Sequence, residues 1–410
     1  MTDTEIFQER VIKVPTADHH YTLLVAPDGN YLGVDQEGFT ATFPYANDRV
    51  MWDETDAGTF RHTIADIEIV KKSPDANVCQ LTLEGNTLDC FGQTISESAS
   101  YNVSHGPERL PSEYLKFFRE NGWVCLTSIL SPDLVEALEK VACTDRFAHL
   151  KIDRSSNPFS QSPAIARTTA EPVSLWLIRQ YMQIDDVRVA HTPGLAILDR
   201  DDGKRIVQGW HSDYPYHWGV PARGQVPTPS GETVLGVQRN VCVSPFTKVG
   251  GATAFKLGSH ALDQGPPKEW GVASDHYQEG YRETHGLPYM GPEADIIEAP
   301  GGSIILYDSR TWHRAGVNRT DQKRAALLMA ITPMYVMPKN DTSHSYKAFL
   351  ASDVYKELND RERIEVERLM VHQFIGPGGQ YAIGADRELT ATLHARQATL
   401  HARQQDKVSY

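Results

Sequence analysis

Cysteine is scarce in this chain of 410 residues, and the five present, Cys79, Cys90, Cys125, Cys143 and Cys242, form no C-x-x-C pair. An odd count without close pairs indicates neither a disulfide framework nor a structural zinc site. Long apolar runs are missing too. No stretch offers the ~20 apolar residues of a membrane helix, and residues 1–30 carry charges throughout, without the apolar core of a secretory signal. Positive charge is in deficit, 40 Lys and Arg against 53 Asp and Glu for a net −13, which argues against a general nucleic-acid surface. The expectation is a protein of the reducing cytoplasm, in which the N-x-S/T matches at Asn102, Asn318 and Asn340 have no role. Hydrophobic content of 40% and charged content of 23% fit an ordinary globular chain, and its length favours more than one domain.

The chemistry-bearing stretch is Gly209-Trp210-His211-Ser212-Asp213-Tyr214. In an extended segment a His and a carboxylate two positions apart point to the same side. With one distant His they make the facial triad of a non-haem Fe(II) site, which leaves positions open for a cosubstrate and O2. A partner stands in Tyr307-Asp308-Ser309-Arg310-Thr311-Trp312-His313, and eleven positions later comes Arg324. An arginine can hold a ligand carboxylate through a two-pronged hydrogen bond. Arg314, Arg319 and Lys323 compete for that role; Lys323 alternates to the opposite face of a strand from Arg324. His217 and His260 are alternative imidazoles. His217, six residues past His211, is too far to replace Asp213 in the pair, but could touch substrate.

Around these residues three regions can be read. Residues 1–105 look β-rich: Tyr21–Val25, the turn signal Pro27-Asp28-Gly29-Asn30, and Tyr31–Val34 form a hairpin signature, and residues 63–70 and 78–83 add strand-like runs. Ser104-His105-Gly106-Pro107-Glu108 reads as the linker. Residues 112–123 and 131–142 read as amphipathic helices, the first capped by Ser112, the second opened by Ser131-Pro132. From 187 to 336 strand and turn alternate, with Val234–Val243 and Ala325–Ile331 as core strands. Segment 262–298, rich in Pro and Gly, reads as a long insertion, either a lid or a surface excursion. After 340 helices return, and the tail repeats Ala391–Gln397 as Ala398–Gln404. This tail reads as a terminal helix, with a homodimer contact as the sharper alternative; His394 and His401 share a stripe but have no third ligand.

The order of further motifs carries a resemblance. Tyr114–Leu126 ends in Asn121-Gly122-Trp123-Val124; Gly250-Gly251-Ala252 leads to Gly258-Ser259-His260; Ala299-Pro300-Gly301-Gly302-Ser303 precedes the distal His. Over roughly residues 110–340 the chain resembles the phytanoyl-CoA dioxygenase (PhyH-like) family of Fe(II)/2-oxoglutarate-dependent oxygenases. The resemblance implies a mainly β fold with flanking helices, built on a double-stranded β-helix (jelly roll, cupin-like) core at 106–340. Residues 1–105 are then a β-rich N-terminal domain or extension and 341–410 a C-terminal helical region. It implies His211, Asp213 and His313 as Fe(II) ligands and Arg324 as the anchor of the C5 carboxylate of 2-oxoglutarate, with O2 as second cosubstrate and His260 in a structural turn. Gln238 is a further candidate for the cosubstrate, or simply a buried amide with a structural partner. Trp210, Tyr214, Tyr216, Trp218 and Trp312 either wall the substrate or support the ligands.

The activity so implied is hydroxylation of an unactivated C–H bond of a small-molecule metabolite, with release of succinate and CO2. Related halogenases have a small residue in place of the carboxylate, so Asp213 favours hydroxylation. Desaturation, epoxidation and ring formation stay open on the same scaffold. Two other classes also stay open: a cupin-type metalloenzyme that does not use 2-oxoglutarate, and a non-catalytic jelly-roll binding module.

Overall fold

The structure, a computed structural model, describes residues 9–383 apart from 15, 18, 57, 71–77, 83–97, 152–156, 205–206, 217–231, 263, 268–269, 271–290, 292, 371 and 377–378. His217, Trp218, most of the 262–298 insertion and the duplicated tail with His394 and His401 lie outside the described residues. The chain is mostly β with helices packed on it. Among the described residues no helix is long and apolar enough to cross a membrane.

Two sheets position the site. The major sheet runs Trp123–Leu126, Ile304–Asp308, Val237–Cys242, Arg324–Pro333, and both Val187–Val189 and Gly194–Leu198 pair with the long Arg324–Pro333 strand. The minor sheet runs Glu9–Lys13, Ala294–Glu298, Ala254–Lys256, Trp312–Arg314. Successive strand side chains point to opposite faces, and the major sheet sorts its residues accordingly. Val237, Val241, Ala325, Leu327, Met329 and Ile331 pack with the helices. Cys242 and Ala326 point the other way, where they join Trp123, Cys125 and Ile305 and meet Ala254, Phe255, Ile296 and Trp312 of the minor sheet in a second core. Gln238, Asn240, Leu328 and Arg324 share that inner face by register, since Asn240 pairs with Leu328 and Leu198 with Arg324.

The helices close the outer face. Ser131 accepts from the Leu134 N–H ahead of Pro132–Ala142, as its Ser-Pro signal predicts. The same Ser-Pro or Glu-Pro start opens Pro163–Thr169 and Pro172–Met182, two helices absent from the sequence reading. Buried Arg239, the outward neighbour of Gln238, donates to the Thr169 and Thr168 carbonyls at 2.9 and 2.5 Å and so satisfies that helix end. Ser112 is not a cap: the helix is Pro111–Asn121, Leu110 precedes it, and the Ser112 N–H donates to Asp48 Oδ1 at 2.8 Å. Gly122 ends this helix at φ +71° and accepts no Cβ, because the His260 ring would lie 2.3 Å away. The Gly122 and Gly-Ser-His motifs are therefore two sides of one contact.

The N-terminal hairpin forms as expected, Thr22–Val25 against Tyr31–Val34, with Gly29 at φ +89° in the turn. It belongs to a larger sheet in which Ser98–His105 pairs with Thr22–Val25, so the strand runs through the expected linker as far as His105. The Arg361 N–H donates to the Asp28 carbonyl at 3.0 Å, which ties the hairpin tip to the C-terminal helix Asp360–Met370. That last region is helical only in part. After Ser343–Leu350, Asp353–Glu357 and Asp360–Met370 a β-hairpin follows, His372–Gly376 with Gly379–Ile383. Gly376 pairs with Gly379 at its closed end, in a Gly-Pro-Gly-Gly run whose composition disfavours a helix.

Candidate metal centre

The two histidines are held to each other by their backbones. The His211 N–H donates to the His313 carbonyl and the His313 N–H to the His211 carbonyl, both at 3.0 Å. Asp213 N–H donates to the Ser309 carbonyl at 3.0 Å, and Ser212 Oγ to the Arg310 carbonyl at 2.8 Å. The 211–213 segment is thus zipped along the 309–313 segment, and Ser212, between the ligands, points away from Asp213 as extended backbone requires.

The side chains converge. One ligand atom each from His211, Asp213 and His313 lies within 4.8 Å of the others. His313 Nε2 is 3.1 Å from Asp213 Oδ2, and His211 Nε2 is 3.7 Å from Oδ1. Each Nδ1 faces a carbonyl, which can only accept: His211 Nδ1 donates to Gly209 O at 2.8 Å and His313 Nδ1 to Thr311 O at 3.0 Å. In the neutral imidazoles both Nε2 atoms therefore carry the lone pair and face the carboxylate; a proton on His313 Nε2 is what bonds Asp213 when no metal is bound. Two imidazole nitrogens and one carboxylate on one side is the donor set that suits Fe(II) with open positions. The Gln208 amide nitrogen, 3.3 Å from His211 Nε2, borders the same opening.

The electrostatics couple the set. Burial by itself pushes the Asp213 carboxyl up, but the charges of His313 and His211 and the hydrogen bond from His313 outweigh it and hold the carboxyl well below the usual carboxylate range. Burial by itself lowers the His313 imidazole; the Asp213 charge and hydrogen bond, with the Thr311 carbonyl, carry it above its ordinary 6.5. A divalent metal needs the neutral imidazole and must displace that proton. Apparent affinity for Co(II), read by optical titration, should therefore fall between about pH 8 and pH 6, approaching roughly tenfold per unit once His313 is protonated. Affinity that stays flat across this range would remove His313 from the ligand set.

A cavity of about 330 Å³ opens beside the triad. Arg324 lines it, buried, with Nε donating to the Gly251 carbonyl at 3.1 Å and the guanidinium 5.1 Å from the Phe246 ring centre. The competing cations are committed elsewhere. Buried Glu9 takes Arg314 at 3.0 Å and Arg319 at 3.7 Å, and Lys323 pairs with Asp199 at 3.8 Å on the surface. Gln238 also lines the cavity, but its amide donates to Ser309 Oγ at 2.9 Å and to the Tyr214 carbonyl at 3.4 Å. Those bonds fit a structural amide that steadies the Asp213 segment. Of the neighbouring aromatics, Tyr214 lines the cavity. Trp210 packs 5.5 Å from the Arg314 guanidinium, Trp312 donates to the Gln264 carbonyl, and Tyr216 bonds Thr233 and Leu235; these three support. His260 sits over Gly122, away from the triad's donor atoms.

Sequence reasoning missed Gln208, Asn240, Tyr307, His191 and Lys339 as lining residues. Asn240 and Tyr307 had a signal: both follow the alternation that brings Gln238 inward, and burial pushes the Tyr307 phenol well above its ordinary range beside Asn240.

The sequence profile described as phytanoyl-CoA dioxygenase (PhyH) matches residues 118–326, a span that contains all three triad residues and Arg324. Dioxygenase cdmA of Talaromyces verruculosus is 26% identical over 122 residues, which are 30% of this chain and 35% of that protein, so the match spans about a third of the relative's length. The crystal structure of the non-heme alpha ketoglutarate dependent epimerase SnoN from nogalamycin biosynthesis aligns at 16% identity and TM-score 0.38, covering 55% of this chain and 81% of that one. The complex of SnoN with Fe3+, alpha ketoglutarate and nogalamycin RO aligns at 16% and 0.39, covering 55% and 84%.

Proposed function

Because the chain belongs to the phytanoyl-CoA dioxygenase family of Fe(II)- and 2-oxoglutarate-dependent oxygenases, we propose that it hydroxylates an unactivated C–H bond of a small-molecule metabolite, with release of succinate and CO2. The observation that carries this reading is the convergence of His211, Asp213 and His313 at one end of a cavity that also holds Arg324. When bound, iron(II) and 2-oxoglutarate supply O2 activation by oxidative decarboxylation of the cosubstrate.

The chain's own residues contribute positions and protons. His211 and His313 present Nε2 because their Nδ1 protons are fixed on Gly209 and Thr311. Asp213 completes a hard, anionic face for Fe(II) and occupies the position that a halide would need. Arg324, its Nε held by the Gly251 carbonyl, would take the C5 carboxylate of 2-oxoglutarate with its guanidinium. Gln238 keeps the Tyr214–Ser309 region in register, and Tyr307 beside His313 narrows the room for water. We further assign the major and minor sheets to a double-stranded β-helix of residues 106–340, with 1–105 as an N-terminal extension and 341–410 as the C-terminal region. The shared core between the two sheets supports that assignment.

Anaerobic titration of the Fe(II)-loaded protein with 2-oxoglutarate tests the reading. A weak visible metal-to-ligand charge-transfer band should grow with 2-oxoglutarate and be absent in His211→Ala. Iron bound without a band, and without affinity for 2-oxoglutarate, would overturn it.

A further inference from the structure

Arg188 is among the most deeply buried side chains described, 1% exposed, yet among the described residues no carboxylate forms an ion pair with it. Its Nε and one terminal nitrogen reach only the carbonyl of the next residue, Val189, both at 3.4 Å. The one carboxylate among the described residues that acts on it is Asp341, which is exposed and accepts from the Ser343 N–H. Burial pulls the guanidinium down to about 10, with only weak opposing help from Tyr214 and Asp341. A buried cation without a counter-charge is costly.

Arg188 also has a defined address. In the Val187–Val189 strand it pairs with Thr332, so both side chains stand on the inner face of the major sheet, one pair beyond Ala330. Ala330 lines the cavity, as do His191, Tyr214 and Lys339 around the same end. Thr332 is 0% exposed and its Oγ1 has no hydrogen-bond partner. Two polar groups, both nine-tenths buried, therefore face the same way: a hydroxyl without a partner, and a guanidinium whose bonds among the described residues are two long ones to a single carbonyl. Arg324 lies eight positions before Thr332 on the same strand, roughly 26 Å away at ~3.3 Å per residue. The same sheet face thus has a guanidinium toward each end, with the triad's cavity between them.

We propose that Arg188, with Thr332 and backed by Lys339, is the anion subsite of the hydroxylated substrate, which is a carboxylic acid. This rests on the oxygenase reading and names the substrate class that the reading leaves open. The acid's carboxylate would be seated at Arg188 and the body of the molecule would extend back along Ala330 and Leu328 toward the triad. Arg324 remains with the cosubstrate, so the two carboxylates do not compete for one cation.

Two measurements test this. Succinate release by the iron-loaded enzyme with 2-oxoglutarate is followed with hexanoate, benzoate or cinnamate, and separately with the amide of each. The acids should raise succinate release severalfold over their amides, and that acid-to-amide ratio should fall to about one in Arg188→Met. Acids and amides acting alike, or an unchanged ratio in the variant, overturns the proposal. The second measurement needs no turnover. Sodium acetate, at an ionic strength matched with chloride, should raise the melting midpoint of the wild type and not of Arg188→Met, whose own midpoint should sit about 2–5 °C higher for want of an unpaired buried charge. Thr332→Val serves as a milder variant that keeps the fold and should reduce the acetate shift. A lower midpoint in Arg188→Met, or equal acetate shifts in all three proteins, also overturns the proposal. No charge-transfer band with 2-oxoglutarate, together with no succinate from the wild type with any acid or amide, would instead sink the oxygenase reading, and leaves the acetate measurement valid.

Discussion

Arg324→Met should raise the KM for 2-oxoglutarate by about 30- to 1000-fold, the equivalent of roughly 2–4 kcal/mol for truncating one partner of a buried, charge-assisted pair. The side chain is buried, its Nε is bonded to Gly251 and its guanidinium lies against Phe246. It is therefore pre-oriented, and little freedom is lost when a carboxylate binds. Methionine preserves much of the volume and the contact with Phe246, so folding should survive. Iron affinity without 2-oxoglutarate should be unchanged, since Arg324 is not among the converging ligand atoms. Arg324→Lys should recover only part of the loss, because an ammonium cannot make the paired, planar contact. A KM within threefold of wild type in Arg324→Met would transfer the cosubstrate to another cation. Arg314 would then be the first to test, although Glu9 already holds it.

Asp213→Ala should cost at least about 100-fold in iron affinity, more than the ~10–100-fold expected for an outer-sphere partner. It leaves two imidazoles where a third, anionic donor was. A second consequence distinguishes loss of a ligand from general damage. Asp213 is what carries the His313 imidazole above its ordinary value against the effect of burial. Without it burial prevails and His313 stays neutral to lower pH, so the residual metal affinity should depend less on pH between about 6 and 8 than in the wild type. In the metal-free protein the pair makes a pH-dependent contribution to stability, and the two partners set its limits. The lowered Asp213 contribution is present above the ordinary carboxylate range and lost in strong acid. The raised His313 contribution is present below its unfolded value and lost as pH rises through the folded one. The variant should lack both. A pH profile identical to wild type, measured by Co(II) titration, would mean that Asp213 and His313 do not interact in solution.

The legible part of this site was local, or marked by flanking motifs. His211 and Asp213 needed only an extended backbone between them, and His313 was flagged by the Gly-rich turn that opens the preceding strand, Ile304–Asp308. Arg324 was separable from Lys323 by alternation, but not from Arg314 and Arg319 without resemblance. What commits those two is Glu9, 305 positions from Arg314, and no spacing argument reaches that far. Arg188 was invisible for a related reason: its strand has three residues, and its face is decided by register against Thr332. The helices at 163–182 were missed although Ser162-Pro163 and Glu171-Pro172 repeat the very start signal read at Ser131-Pro132. The Ser112 error came from preferring a hydroxyl cap over the plain rule that Pro111 takes the first turn.

The parallel pairing of Glu9–Lys13 with Ala294–Glu298 has a consequence for how the chain is made. Arg10 is synthesised 285 positions ahead of its sheet neighbour Asp295. An edge strand with a buried acid must be kept out of wrong pairings for that whole interval. Only when Arg314 and Arg319 emerge does Glu9 find its counter-charges, and Arg314 directly follows His313. The strand around Glu9 is thus locked in by the residue that follows His313, and the corner that carries the triad cannot take its final form until Arg314 and Arg319 have been made.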